Sequence, residues 1–172
     1  MFLPGTYVVY GSKGIHRIHD ITQRDIDGVR KDRSYYVMQP VEKPDGSVYA
    51  PVDNEKVHMR EIMSREAASD FVSGIPEIEA LDIKNQKQRE DVYKEYIRSC
   101  DPGSIIRVIK SLYLRRQERT RQGKKLTLTD LHYLTQAEDI LYAELALSLD
   151  LDKKEIPKYI EDTIESKQAN DL

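Results

Sequence analysis

Between Asp101 and Leu149 apolar and polar positions follow one another with the period of a helix. Ile105, Val108, Ile109 and Leu112 form one apolar seam, widened by Ile106 and Tyr113. Asp101 suits a helix cap and Pro102 the first helical position, where its missing N–H costs nothing. Arg107, Lys110, Leu114 and Arg121 project roughly opposite the seam, and Arg115, Arg116 and Arg119 lie on its flanks. Gly123 ends this helix, and Thr127 with Asp130 three residues on reads as the next cap. Leu131, Leu134, Leu141 and Leu145 then give a second seam, with Ala137 and Ala143 small enough for close approach. Two capped amphipathic helices joined by a short connection predict an antiparallel pair.

The first sixty residues follow a different period. Thr6–Tyr10, Ile15–Ile21, Tyr35–Gln39, Ser47–Val52 and Lys56–Met59 read as short strands, with Asp27-Gly28 and Pro44-Asp45-Gly46 as turn signals. Five short strands with no helix between them predict a small, strongly bent barrel. Ser64–Val72 reads as a short helix with Ser64 as cap and Ala67, Ala68 and Phe71 inward. Gly74 and Pro76 break the polar stretch 73–84, which is taken as a linker. Asn85 and Gln88 are a capping pair for a helix to Ser99 with Val92, Tyr93, Tyr96 and Ile97 inward, and Lys154–Ser166 gives the last helix. The expectation is an α+β chain of two domains, a barrel with a short trailing helix over 1–72 and an all-helical domain over 85–172.

Charge sharpens the picture. The chain has a net charge of −3, yet Arg107 to Lys125 holds eight basic residues and one acidic residue, Glu118. A solvated helix face is the plainer reading, and a phosphate-contacting corner the sharper one. Clustering beside a helix break favours the second for Arg107, Lys110, Lys124 and Lys125. Gln86 and Lys87 open a helix, where free N–H groups and the helix dipole also favour phosphate. The single cysteine, Cys100, excludes an internal disulfide and a multi-cysteine zinc site. His16 and His19 point to opposite faces of a strand, and no phosphate loop, nucleophile elbow or zinc-protease motif occurs. No enzyme, metal or cofactor is expected. With no long apolar run and no secretory leader, a cytoplasmic location is expected. The chain is expected to be a monomer.

The ordered set PGTYVVYGSKGIHRI, VYAPVDN with VHMREIM, and SLYLRRQERTRQGKKLTLTDLHYLTQAEDILYAELALSL resembles the CarD/CdnL family of bacterial RNA polymerase-binding transcription regulators. The resemblance covers nearly the whole chain. It implies a Tudor-like (SH3-like) barrel that docks on the polymerase β-subunit lobe. It also implies a helical domain that touches promoter DNA at the upstream edge of the melted bubble and tunes the open complex. Arg24 falls on a basic polymerase contact of the family, and Tyr49, before Ala50-Pro51, where many members carry arginine; Arg24, Tyr49 and Pro51 are therefore the expected polymerase contacts. Arg89 and Arg115 match basic positions of the family's DNA-facing surface, which with Gln86, Lys87, Arg107, Lys110, Arg119, Lys124 and Lys125 completes the expected DNA contacts. Gln86 stands where members place a tryptophan that wedges into the minor groove, and this chain has no tryptophan. Glutamine can hydrogen-bond a base edge or sugar but has no broad apolar face. Two other readings remain open: a polymerase- or protein-binding adaptor without DNA contact, and an RNA-binding module using Tyr7, Tyr35 and Tyr36 as a platform.

Overall fold

The structure is a computed structural model that describes residues 1–23 and 33–170. Strands β1 (Tyr7–Tyr10), β2 (Ile15–Thr22), β3 (Tyr35–Pro40), β4 (Val48–Pro51) and β5 (Met59–Glu61) form one antiparallel sheet in the order β4-β3-β2-β1-β5. Helices α1 (Arg65–Gly74), α2 (Arg89–Arg98), α3 (Pro102–Arg121), α4 (Leu128–Leu149) and α5 (Ile156–Asn170) follow. The α+β class and the order of sheet before helices are as expected. The sheet, however, is not closed: the edge strands β4 and β5 do not pair with each other. Their shortness explains this, since β5 spans three residues and starts three residues later than its sequence pattern predicts.

Alternation places Val8, Tyr10, Ile18, Tyr36, Met38 and Ala50 in one core inside the sheet. The other parity of the first two strands, Val9 and Ile15, joins the larger core formed by the helices. The sheet is thus packed on the helices rather than tethered to them. Gly11, just after β1, shows how tight the packing is near Val57. It adopts φ +51°, and a Cβ there would lie 2.8 Å from Val57 Cγ1. Gly11→Ala is therefore expected to destabilise the protein by about 1–3 kcal/mol, through backbone strain and overpacking, seen as a lower urea midpoint.

The helix caps form as the sequence predicts. Ser64, Asp101 and Thr127 accept from the N–H groups of Ala67, Ser104 and Asp130. Asn85 instead caps a 3₁₀ turn over Gln86–Gln88 that leads into α2. The α3 seam is buried from Ile105 to Leu112, but Tyr113 at its edge is exposed and donates to Glu138. In α4 the inward face runs through Asp130, Leu134, Ala137, Leu141 and Leu145. Leu131, expected in that seam, is 44% exposed, because α4 turns Asp130 toward α2 and α3 instead. Ala67 likewise faces out, while Ala68 and Val72 carry the buried face of α1, which packs on α5 and α4.

Two polar clusters bind these parts together. Glu144 of α4 is fully buried and takes a two-pronged ion pair from Arg60 of β5, at 2.6 and 2.7 Å, and a third hydrogen bond from the Met63 N–H at 2.9 Å. Arg60 Nε also donates to the Cys100 carbonyl at 2.7 Å. Cys100 sits at the α2–α3 corner with φ +63°, and its thiol donates to the His58 carbonyl at 3.2 Å. Burial pushes that thiol's pKa up, so it is a packed group rather than a nucleophile. Lys153 adds a second tie, bridging Glu42 after β3 to Asp139 on α4.

Candidate nucleic-acid interface

A third polar cluster, centred on Asp130, builds the candidate site. Asp130, on the first turn of α4, is fully buried yet charged. Arg89 Nε at the start of α2 reaches its Oδ1 at 3.1 Å, and Arg115 Nε on α3 reaches its Oδ2 at 2.7 Å. Burial alone would push the Asp130 carboxyl up. Hydrogen bonds from Arg115, Arg89 and Thr127 outweigh that and hold it below the usual carboxylate value. Three helices therefore meet at one carboxylate, and the two arginines remain 19% and 27% exposed.

Further basic residues lie close to this point. Gln86 is exposed, with its amide held to the Ile83 carbonyl at 2.8 Å, and it lines one cleft with Leu114, Arg115 and Arg119. Arg119 donates through Nε to the Lys125 carbonyl at 2.6 Å, and its own carbonyl accepts from the Lys124 N–H at 2.8 Å. Lys87, Lys124 and Lys125 are exposed. Gln86, Lys87, Arg89, Arg115, Arg119, Lys124 and Lys125 thus form one edge, drawn from the start of α2, the end of α3 and the start of α4.

Arg107 and Lys110 belong elsewhere. Lys110 Nζ donates to the carbonyls of Ile75 and Ile78, and Arg107 Nε donates to the Glu79 carbonyl at 3.2 Å while its guanidinium lies over the Tyr96 ring. Both hold the 75–79 segment against α3. Helical periodicity put them opposite the seam, but a second layer of chain covers that face. In the sheet, Pro51 is half-buried and Tyr49 is 38% exposed on β4, an edge strand with no strand pairing its outer side among the described residues. Arg24 lies outside the described residues. Tyr35 and Tyr36 are buried, and Tyr7 is half-buried beside Arg17, so these three rings do not form an open platform. Sequence reasoning missed Asp130 and Glu144 as organising groups. The only local signal was Asp130 three residues after Thr127, read as a cap.

Two family models divide the chain between them. The CarD-like/TRCF RID domain matches residues 2–63, the sheet, and the CarD C-terminal domain matches residues 76–161, the helices. The chain belongs to the CarD family. No curated protein matches it. Membership makes this CarD-family chain a transcription-associated, RNA polymerase-interacting protein, from a family of non-enzymatic regulators. Among the described residues no helix is long and apolar enough to cross a membrane, and no group of acidic, histidine or cysteine side chains could hold a metal ion.

Proposed function

We propose that the sheet docks on the β-subunit lobe of RNA polymerase and carries the cationic edge to promoter DNA at the upstream border of the bubble, where it modulates open-complex stability. The observation that carries this reading is the clustering of Gln86, Lys87, Arg89, Arg115, Arg119, Lys124 and Lys125 along one edge of a chain whose net charge is −3. A modest cationic edge binds DNA weakly alone, and its contacts fade steeply with salt. Held by polymerase, the same edge meets DNA at high effective concentration. The shared core and the Arg60–Glu144 pair support a fixed geometry between the two contacts. In this reading Tyr49 and Pro51 on β4, whose outer side has no strand paired to it among the described residues, and Arg24 are the polymerase contacts; strand edges are common docking sites.

The test is capture of RNA polymerase by the full-length chain. Arg24→Glu and Tyr49→Glu should each weaken capture about tenfold or more, since a charge placed against an interface adds repulsion as well as removing attraction. A folded Tyr49→Glu that captures polymerase as well as wild type would move the docking surface off β4, and a folded Arg24→Glu that does so would remove Arg24 from it. Capture without any effect on promoter complexes would favour the adaptor reading.

A further inference from the structure

We infer that Asp130 is a positioning residue, whose buried carboxylate orients Arg89 and Arg115 as a two-armed fork for one DNA phosphate. This rests on the DNA contact proposed above and names the group that organises it. Asp130 has no solvent exposure and so cannot touch DNA itself. Each arginine reaches it through Nε, one on each oxygen. Arginine held this way keeps its two terminal amino groups for another anion. Arg89 uses Nη1 on the Gln86 carbonyl at 3.2 Å, whereas the terminal amino groups of Arg115 meet no hydrogen-bond partner among the described residues. Two guanidinium groups share this one buried carboxylate, and both side chains reach solvent. Long side chains that must be ordered on binding lose affinity to entropy, and a fork ordered beforehand avoids that loss.

The competing account is that Asp130 merely bolts α2, α3 and α4 together. The two accounts differ in sign. Removing a negative charge beside a DNA-binding edge ordinarily tightens DNA binding. If Asp130 positions the fork, Asp130→Asn weakens it, because the new amide offers one arginine a donor where it needs an acceptor. The Thr127 cap survives this change, since it takes the backbone N–H of Asp130.

Binding of the full-length chain to a labelled duplex, followed by fluorescence anisotropy across a low-salt series, decides between them. Variants with unchanged far-UV circular dichroism are compared. Asp130→Asn should bind about tenfold more weakly, the scale of one charge-assisted hydrogen bond, with a salt slope shallower by about one phosphate contact. In an Arg115→Ala background the same substitution should change affinity far less, because the two groups act as a unit. Equal or tighter binding by Asp130→Asn overturns the inference and leaves the DNA reading standing. Should Asp130→Asn not fold, Asp130→Glu decides: it keeps the charge but moves the carboxylate by one methylene, so comparable weakening supports the fork and unchanged affinity overturns it. Absence of any wild-type binding at low salt overturns the DNA reading and the fork with it.

Discussion

Glu144→Ala is expected to cost about 3–5 kcal/mol of stability, the largest single-residue effect in this protein, because removing one member of a buried ion pair leaves the other without compensation. The substitution strips two hydrogen bonds from Arg60 and orphans the Met63 N–H, in a site where Glu144 itself has no exposure. Arg60 is 27% exposed and can recover some hydration, which places the loss toward the lower end of that range. Replacing both members together with apolar residues, as Arg60→Met with Glu144→Leu, should recover most of the loss, since the pair itself offers little over a well-packed apolar contact. Urea unfolding of the three proteins measures this. A loss below about 1 kcal/mol for Glu144→Ala would mean that the pair is not the tie between sheet and helices that its geometry indicates.

Gln86→Trp has the largest expected effect on function. Gln86 is exposed at the head of α2, and its amide is folded back onto the Ile83 carbonyl, which leaves little of it to meet a base. An indole there would present a broad apolar face beside Leu114, which is 57% exposed in the same cleft. Stacking on a base is worth about 1–3 kcal/mol, or roughly tenfold to hundredfold in a coupled equilibrium. Open promoter complexes should therefore decay that much more slowly with Gln86→Trp than with wild type after a competitor challenge, with polymerase capture unchanged. Identical decay would remove the head of α2 from the bubble.

Local chemistry made most of the fold legible. The caps at Ser64, Asp101 and Thr127 are set by residues within three positions of each other, and the seams of α3 and the parity of β1 and β2 follow from periodicity. What stayed hidden depends on partners far along the chain. Glu144 sits in a helical Glu-Leu-Ala that gives no sign of burial, and its partner Arg60 is 84 residues earlier. Periodicity assigned Lys110 and Arg107 to an open face, but the carbonyls of residues 75–79 fold over it and occupy both cations. Leu131 carried the right residue type for a seam, yet Asp130 took the inward place because two arginines were there to meet it. The candidate edge was partly legible in the same way. Its basic residues were visible as a cluster, while the carboxylate that arranges two of them reads in sequence as an ordinary capping residue.

Site-specific photocrosslinking from position 86 within a promoter complex tests the central claim most directly. A crosslinker at Gln86 should label promoter DNA at the upstream border of the melted region, only when polymerase is present, while one at Tyr49 labels the β subunit. A crosslinker at Lys158, exposed on α5 away from the cationic edge, serves as the comparison and should leave DNA unlabelled. Labelling of the β subunit from Tyr49 with no DNA labelled from Gln86 would contradict the account, and the protein would be an adaptor on polymerase rather than a contact to the bubble.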